Sequence, residues 1–159
     1  MFIIGEQMKN DIGANEIEKA QARLEQEIRG MVHGYPIEEM AFYISKRNRA
    51  TAIFMISIAK KESAWGRHAP KLNGKNCYNY WGYRGQGRLM THDGYTCFKT
   101  PEEAVITVSN RFDYLINIEK LNTPKKMIVW KCGWSCAGHS QESVRKWIQD
   151  INLYFQKFQ

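Results

Sequence analysis

The stretch from Ala50 to Gly66, ATAIFMISIAKKESAWG, constrains the fold more than any other part of the chain. Its first ten residues, Ala50 to Ala59, are apolar except for Thr51 and Ser57. At 3.6 residues per turn such a run is apolar on every side, which predicts a helix buried in the middle of a domain. Gly66 and Pro70 are predicted to stop this helix.

A single glutamate, Glu62, falls on the last turn of this predicted helix. A carboxylate there is expected to lie in a low dielectric and near the negative end of the helix dipole, and both effects favour its protonated form. A general acid needs that form at neutral pH. Surface glutamates just past a core occupy the same kind of position, so the stretch alone leaves both interpretations open.

Size and composition bound the class of protein. A chain of 159 residues fits one domain with a sizeable core, and 43% hydrophobic and 13% aromatic residues exclude a disordered chain. No apolar stretch reaches the roughly 18 residues of a membrane span. The N-terminal MFIIGEQMKND has a short apolar run with no basic residue before it, so we expect no signal peptide in this chain.

The formal charge of +7 suits an anionic partner such as nucleic acid, a membrane surface or an acidic cell-wall polymer. The basic residues are scattered, however, and their densest cluster is only the four residues 46–49. Such a short cluster is more typical of a solvated helix entrance than of a nucleic-acid footprint. We therefore expect no nucleic acid among the partners.

Four cysteines are present: Cys77, Cys97, Cys132 and Cys136. They permit two disulfides in three connectivities. Alternatively, all four, or three of them with His139, could hold zinc, but the first two cysteines do not form the second short pair that zinc sites usually have. The sequence favours disulfides or plain thiols, and disulfides would indicate an oxidising compartment.

Residues 1–48 are predicted to hold the N-terminal helices. The first helix is predicted to begin at Asn15 and a shorter one at Pro36, while Asn48 can cap the central helix of residues 49–66. The apolar stripes predicted to face inward are Ile17, Ala20, Leu24, Ile28 and Met31 in the first helix, and Ile37, Met40, Ala41 and Ile44 in the second.

Residues 71–99 are rich in glycine and tyrosine and lack a helical period. Asp93-Gly94, between RLMTH and YTCF, predicts a type I′ hairpin. Helices return in residues 100–159, with starts at Thr100-Pro101, Thr123-Pro124 and Ser140. The predicted fold class is α+β and mainly α: one domain of helices around a buried helix, with a small β-hairpin lobe.

Two blocks of sequence carry a family resemblance: Glu62-Ser63-Ala64-Trp65-Gly66 and Asn79-Tyr80-Trp81-Gly82-Tyr83-Arg84-Gly85. In this order and spacing they resemble the lysozyme-like superfamily, and within it the bacterial and phage N-acetylglucosaminidases of flagellar-muramidase and autolysin type. The block from Tyr95 to Leu115 resembles the family's hairpin strand leading into a proline-capped helix. The similarity covers roughly positions 50 to 116.

The resemblance implies a lysozyme-like fold in which Glu62 protonates the glycosidic oxygen of peptidoglycan. It also implies that residues 79–85 line the cleft floor beside the sugar. Glycosidic cleavage passes through an oxocarbenium-like state, which requires a proton donor at the leaving oxygen. The residues expected to contact substrate are Ser63, Asn79, Tyr80, Trp81, Gly82 and Tyr83, with Trp130 as the positional counterpart of a late aromatic residue of the family.

The second carboxylate is where the sequence departs from the family pattern. Between Gly66 and Phe98 the only acidic residue is Asp93, which occupies a turn position that aspartate takes for local reasons. Either Asp93 is the second catalytic acid, or Glu62 acts alone with a nucleophile from the substrate, its acetamido group or its 6-hydroxyl. The latter nucleophile would give the anhydro product of lytic transglycosylases.

These observations predict a peptidoglycan hydrolase that cleaves β-1,4 bonds between N-acetylated amino sugars, outside the cytoplasm or at the wall. The alternatives are a lytic transglycosylase, a cell-wall-binding module without catalysis, and a zinc-dependent basic domain. We expect a monomer that needs no cofactor or metal.

Overall fold

The computed structural model describes residues 2–87 and 89–158. It is 61% helical with one small antiparallel sheet, which confirms the predicted α+β, mainly α class. The α-helices are α1 (Phe2–Val32), α2 (Ala41–Ser45), α3 (Arg49–Ser63), α4 (Pro101–Asn117), α5 (Val129–Cys132) and α6 (Gln141–Lys157). Short 3₁₀ helices span Pro36–Met40 and Lys126–Ile128, and the strands are β1 (Lys71–Leu72) and β2 (Lys75–Asn76).

Helix α3 is the buried central helix that the sequence predicts. Every residue from 51 to 59 is buried, and α4 and α6 pack against it. The ring of Phe54 lies 6.4 Å from Phe112 of α4 and 4.9 Å from Phe155 of α6, between ring centroids. Asn48 caps the helix by accepting a hydrogen bond from the Thr51 N–H at 2.8 Å, as predicted.

The end of α3 differs from the prediction. The helix stops at Ser63, three residues before Gly66, because Ala64 adopts a left-handed conformation with φ +49°. The Ala64 N–H bonds to the carbonyl oxygen of Lys60 at 3.0 Å, which is the bond of the αL cap motif, and the Trp65 N–H bonds to the carbonyl oxygen of Ala59 at 3.1 Å. A non-glycine residue thus ends the helix, and Glu62, on the last turn before it, is exposed.

Helix α1 is longer than predicted, since it begins at Phe2 rather than at Asn15. Leu24 and Ile28 of the predicted stripe are buried, but Ile17 is 60% exposed and Ala20 is also exposed. All of residues 6–20 are exposed, so the first half of the helix contributes little to the core.

Helices form after the predicted starts at Pro36, Thr100 and Ser140, whereas the segment predicted to start at Thr123-Pro124 forms a 3₁₀ helix from Lys126 and then α5 from Val129. The four apolar residues predicted in the second helix are fully buried. Thr100 caps α4 by accepting from the Glu103 N–H, and Ser140 caps α6 by accepting from the Ser143 N–H. Trp147 and Ile151 of α6 are buried. None of the helices in the described ranges is both long and apolar enough to cross a membrane.

The β-lobe contains two hairpin turns. The turn at Asp93-Gly94 exists, but only Gly94 has positive φ (+81°), so the predicted type I′ geometry is wrong. Thr91 and Tyr95 instead close a wider turn, with one isolated bridge between Met90 and Thr96. Arg88, the first residue of the predicted RLMTH strand, lies outside the described residues.

The regular hairpin lies earlier, where β1 and β2 pair with Lys71 opposite Asn76 and Leu72 opposite Lys75. The two residues that join them, Asn73 and Gly74, both have positive φ, as a type I′ turn requires. Asn-Gly is the strongest short hairpin signal, and the sequence interpretation missed it.

The four cysteines form two disulfides, each between cysteines that are near in sequence. Cys77 bonds to Cys97 across the β-lobe, and Cys132 bonds to Cys136 in the loop after α5. All four thiols are therefore used, and the zinc alternative has no cysteine ligand left. The first disulfide ties together the two ends of the lobe that faces Glu62.

Candidate active site

A cleft of about 200 Å³ lies between the end of α3 and the β-lobe. We call it the Glu62 cleft, and its lining residues are Glu62, Ser63, His68, Pro70, Lys71, Asn79, Gly82, Thr91, Asp93 and Tyr95. The fold therefore brings into one cleft the two acidic residues that the sequence singled out.

Glu62 occupies the last turn of α3, as predicted, but its side chain is exposed rather than buried. The expectation of a low-dielectric environment is wrong for the free protein, because the left-handed turn at Ala64 ends the helix at the edge of the core. One carboxylate oxygen is nevertheless held in place. The indole N–H of Trp147 on α6 donates a hydrogen bond of 2.8 Å to Glu62 Oε1.

Gly82 brings the floor of the cleft against the other oxygen of this carboxylate. A Cβ atom at Gly82 would lie 3.3 Å from Glu62 Oε2, and the backbone there has φ +66°. Both the close approach and the positive φ favour glycine at this position. The absence of a side chain keeps Oε2 accessible from the cleft.

Asp93 lies in the turn of the second hairpin, with its side chain 82% exposed. Its backbone carbonyl oxygen accepts a hydrogen bond of 2.6 Å from Arg84 Nη1. The turn interpretation is thus correct for the backbone, while the residue also lines the Glu62 cleft. Among the described residues, the nearest basic side chain to its carboxylate is His92, whose Nδ1 lies 3.9 Å from Asp93 Oδ1.

Ser63 and Asn79 line the cleft, but their polar atoms are occupied within the protein. The Ser63 hydroxyl donates to the Tyr80 carbonyl oxygen (2.7 Å) and accepts from the Gly66 N–H (2.9 Å). The Asn79 side chain bonds to both backbone groups of Tyr83 and to the Thr96 carbonyl oxygen. These bonds fix the β-lobe to α3, and contact of the two residues with substrate stays a prediction.

Tyr80 and Trp81 are fully buried, so the prediction that they contact a sugar is also wrong. The Trp81 indole N–H donates to the Met55 carbonyl oxygen of α3 at 2.9 Å. The Tyr80 hydroxyl accepts from Asn76 at 2.9 Å, and burial raises the pKa of Tyr80 well above its ordinary value. The two rings pack the lobe onto the central helix.

Tyr83 and Trp130 are half-buried and line a second pocket of about 440 Å³. We call it the aromatic pocket; its lining residues are Gly82, Tyr83, Arg84, Gly85, Arg111, Leu115, Val129 and Trp130. The two rings stack with centroids 6.1 Å apart and planes 28° apart. Gly82 lines both this pocket and the Glu62 cleft, so the two are adjacent.

Sequence reasoning missed several residues at the Glu62 cleft. No sequence pattern marks the contact of Trp147 with Glu62, although a buried indole N–H needs a hydrogen-bond partner and so indicates a polar contact. His68 and Tyr95 line the cleft within the regions already singled out, but no spacing pattern marks them.

A second contact joins α6 to the end of α3. Asp150 Oδ2 lies 2.6 Å from Lys61 Nζ and 3.3 Å from Lys146 Nζ. Burial alone would raise the pKa of the Asp150 carboxyl, but the hydrogen bonds from Lys61 and Lys146 outweigh it and hold that pKa below its ordinary value. Together with Trp147, this ion pair sets the position of α6 beside Glu62.

The replacement Asp150→Asn is expected to lower the free energy of unfolding at pH 7 by less than about 1 kcal/mol, since the pair is partly exposed. A depressed carboxyl pKa contributes stability above the unfolded-state value and loses it as pH falls through the folded-state value. Thermal unfolding of wild type and variant should therefore converge as the pH falls below about 3.8. Glu18→Gln, on the exposed part of α1, is the matched control. A difference between Asp150→Asn and wild type that persisted unchanged at pH 2 to 3 (about one unit below the ordinary carboxyl pKa) would contradict this account.

Comparison with known proteins gives no match: no family of proteins, no curated protein and no solved structure is similar to this chain at a significant level.

Proposed function

We propose that this protein is a glycosidase that cleaves β-1,4 bonds between N-acetylated amino sugars of peptidoglycan, with Glu62 as its general acid. The observation that carries the proposal is the position of Glu62, which lies on the last turn of the central helix and faces a cleft shared with Asp93. The proposal includes a lysozyme-like arrangement of the helices and the β-lobe.

The contacts of Glu62 suit proton donation. Trp147 fixes Oε1, while Oε2 lies on the side of Gly82 and the open cleft. A proton on Oε2 could pass to the leaving oxygen as the bond from that oxygen to C1 breaks.

Asp93 supports hydrolysis by a pair of acids. It lines the same cleft as Glu62 and carries no hydrogen bond that would occupy both of its oxygens among the contacts of the described chain. In this reaction water adds to C1, and its proton passes to a carboxylate. Asp93 would stabilise the positive charge at C1 or activate the water.

Cleavage by Glu62 alone, with an anhydro product, is the second candidate. The observation that favours it is the exposed turn position of Asp93, which holds the backbone through Arg84 but leaves the carboxylate without a fixed orientation. In this reaction the substrate's 6-hydroxyl attacks C1 and its proton returns to the Glu62 carboxylate. A cell-wall-binding module without catalysis is the remaining alternative.

Charge and disulfides agree with a wall polymer as substrate. The net charge of +7 suits an acidic polymer, and Lys71, Arg84 and Arg111 lie at the two pockets. Two disulfides are typical of proteins outside a reducing cytoplasm.

Mass spectrometry of products from purified peptidoglycan in water enriched in heavy oxygen tests the proposal. Hydrolysis is expected to release soluble fragments that carry the heavy oxygen at a new reducing end, trapped by immediate borohydride reduction. Fragments that end in an anhydro sugar without the label would favour the second candidate. Protein that sediments with peptidoglycan and releases no fragments would contradict both and favour a binding module.

A further inference from the structure

The aromatic pocket differs from the Glu62 cleft in its charge. Its lining contains two arginines, Arg84 and Arg111, and no acidic residue. Arg84 is committed to the hairpin, since it donates to the Asp93 carbonyl oxygen and its guanidinium carbon lies 4.1 Å from the centroid of the Tyr95 ring. Of the two arginines, Arg111 is therefore the one that can bind a ligand in the pocket.

Arg111 projects from α4 and is half-buried. Within residues 2–87 and 89–158 it makes no salt bridge and no side-chain hydrogen bond, and its guanidinium carbon lies 5.4 Å from the Tyr114 ring centroid. The nearby carboxylate of Asp113 does not pair with Arg111, because it bonds to Arg47 at 3.1 Å and to Asn48 at 3.0 Å. A half-buried guanidinium without a carboxylate partner is suited to an anionic ligand.

The rest of the pocket suits the apolar face of a sugar. Tyr83 and Trp130 stack on one another, and Trp130 stacks on the buried Phe112 with centroids 4.1 Å apart. The Trp130 indole N–H donates to the Trp81 carbonyl oxygen at 2.8 Å. The two rings are therefore rigid, and they form an aromatic wall beside the Arg111 guanidinium.

We infer that the aromatic pocket is a subsite for an amino sugar that bears a carboxylate, and that Arg111 binds this carboxylate. The inference rests on the proposed function and narrows its substrate to acidic glycans over neutral ones. A strand that crosses Gly82 would place one sugar beside Glu62 and its neighbour in the aromatic pocket. The carboxylate could come from the lactyl substituent of the sugar or from the peptide attached to it.

Calorimetric titration of the Glu62→Gln protein, which is expected to cleave the ligand at least about 10²-fold more slowly than wild type, tests this inference. The probes are a neutral chitin tetrasaccharide, a peptide-free peptidoglycan tetrasaccharide with free lactyl carboxylates, and the peptide-bearing tetrasaccharide. Adding Arg111→Met should weaken binding of at least one acidic probe about tenfold or more and that of the chitin probe less than about twofold. The acidic probe that responds identifies the source of the carboxylate.

Two further variants keep the result interpretable. Arg111→Lys retains the positive charge and should recover part of the lost affinity, even if the methionine variant is less stable. Arg23 is an exposed residue of α1 that lines neither the aromatic pocket nor the Glu62 cleft. Arg23→Met also removes one positive charge and should change the affinity for none of the three probes. Equal weakening on acidic and neutral probes, no weakening on any probe, or no binding of any probe by Glu62→Gln would overturn the inference.

The outcome is separable from that of the proposed function because the titration measures binding and not cleavage. If the acidic probes bind selectively but the wild-type protein releases no fragments, the subsite proposal is supported and the glycosidase proposal is rejected. If the protein cleaves peptidoglycan but Arg111→Met does not change probe affinity, the subsite proposal is rejected and the glycosidase proposal is supported.

Discussion

Replacing Glu62 by glutamine is expected to slow peptidoglycan cleavage by about 10²- to 10⁴-fold, the usual contribution of a general acid. Glutamine has the same shape, and its carbonyl oxygen can still accept the Trp147 hydrogen bond. It has no acidic proton to give to the leaving oxygen. Because the side chain is exposed, the variant should unfold within a few degrees of wild type. The initial rate of fragment release, at equal concentrations of folded protein, measures the effect.

Asp93→Asn is the matched variant on the other side of the cleft. A loss comparable to that of Glu62→Gln would indicate hydrolysis by two acids. Near wild-type release by Asp93→Asn would indicate that Glu62 acts alone. Fragment release by Glu62→Gln at the wild-type rate would rule out its assignment as the acid.

Replacing Trp81 by alanine is expected to lower the free energy of unfolding by about 3–5 kcal/mol, which for a domain of this size is a large part of the total. The side chain is fully buried, and its indole N–H bonds to the Met55 carbonyl oxygen. The substitution removes the ring, leaves that part of the core unfilled and weakens the packing of the β-lobe on α3. Urea-induced unfolding followed by circular dichroism measures the loss.

The contrasting variant is Trp130→Ala. Trp130 is half-buried and lines the aromatic pocket, so its removal should cost less stability than that of Trp81 and should weaken the binding of soluble glycan fragments. If instead Trp81→Ala folded with wild-type stability and lost only glycan binding, Trp81 would be a sugar contact and its place in the core would be refuted.

The helices were predictable because their signals are local. Asn48, Thr100 and Ser140 cap the helices that follow them, and the apolar run of residues 51–59 needs no partner to be recognised as buried. The start of α1 was not predictable in this way, since its first half is exposed and lacks the apolar stripe that marks a packed helix.

The position of Glu62 on the last turn of α3 was predictable, whereas the contacts around it were not. Three aromatic residues lie within four positions of one another: Tyr80, Trp81 and Tyr83. The first two are buried in the core, whereas the third lines the aromatic pocket. Tertiary packing on α3 makes that division, and no local pattern encodes it. The contact of Trp147 with Glu62 joins residues 85 positions apart, so only the fold reveals it.

The central claim is that Glu62 gives a proton to the leaving oxygen, and the dependence on the leaving group tests it most directly. An aryl glycoside of a chitin oligosaccharide with a dinitrophenolate leaving group needs little protonation, whereas an unactivated glycan needs it fully. The measurement is the initial bond-cleavage rate of wild type and Glu62→Gln on each substrate. We expect the loss on the aryl glycoside to be at least about tenfold smaller than the loss on the unactivated glycan. Equal losses on the two substrates would contradict the assignment of Glu62 as the general acid.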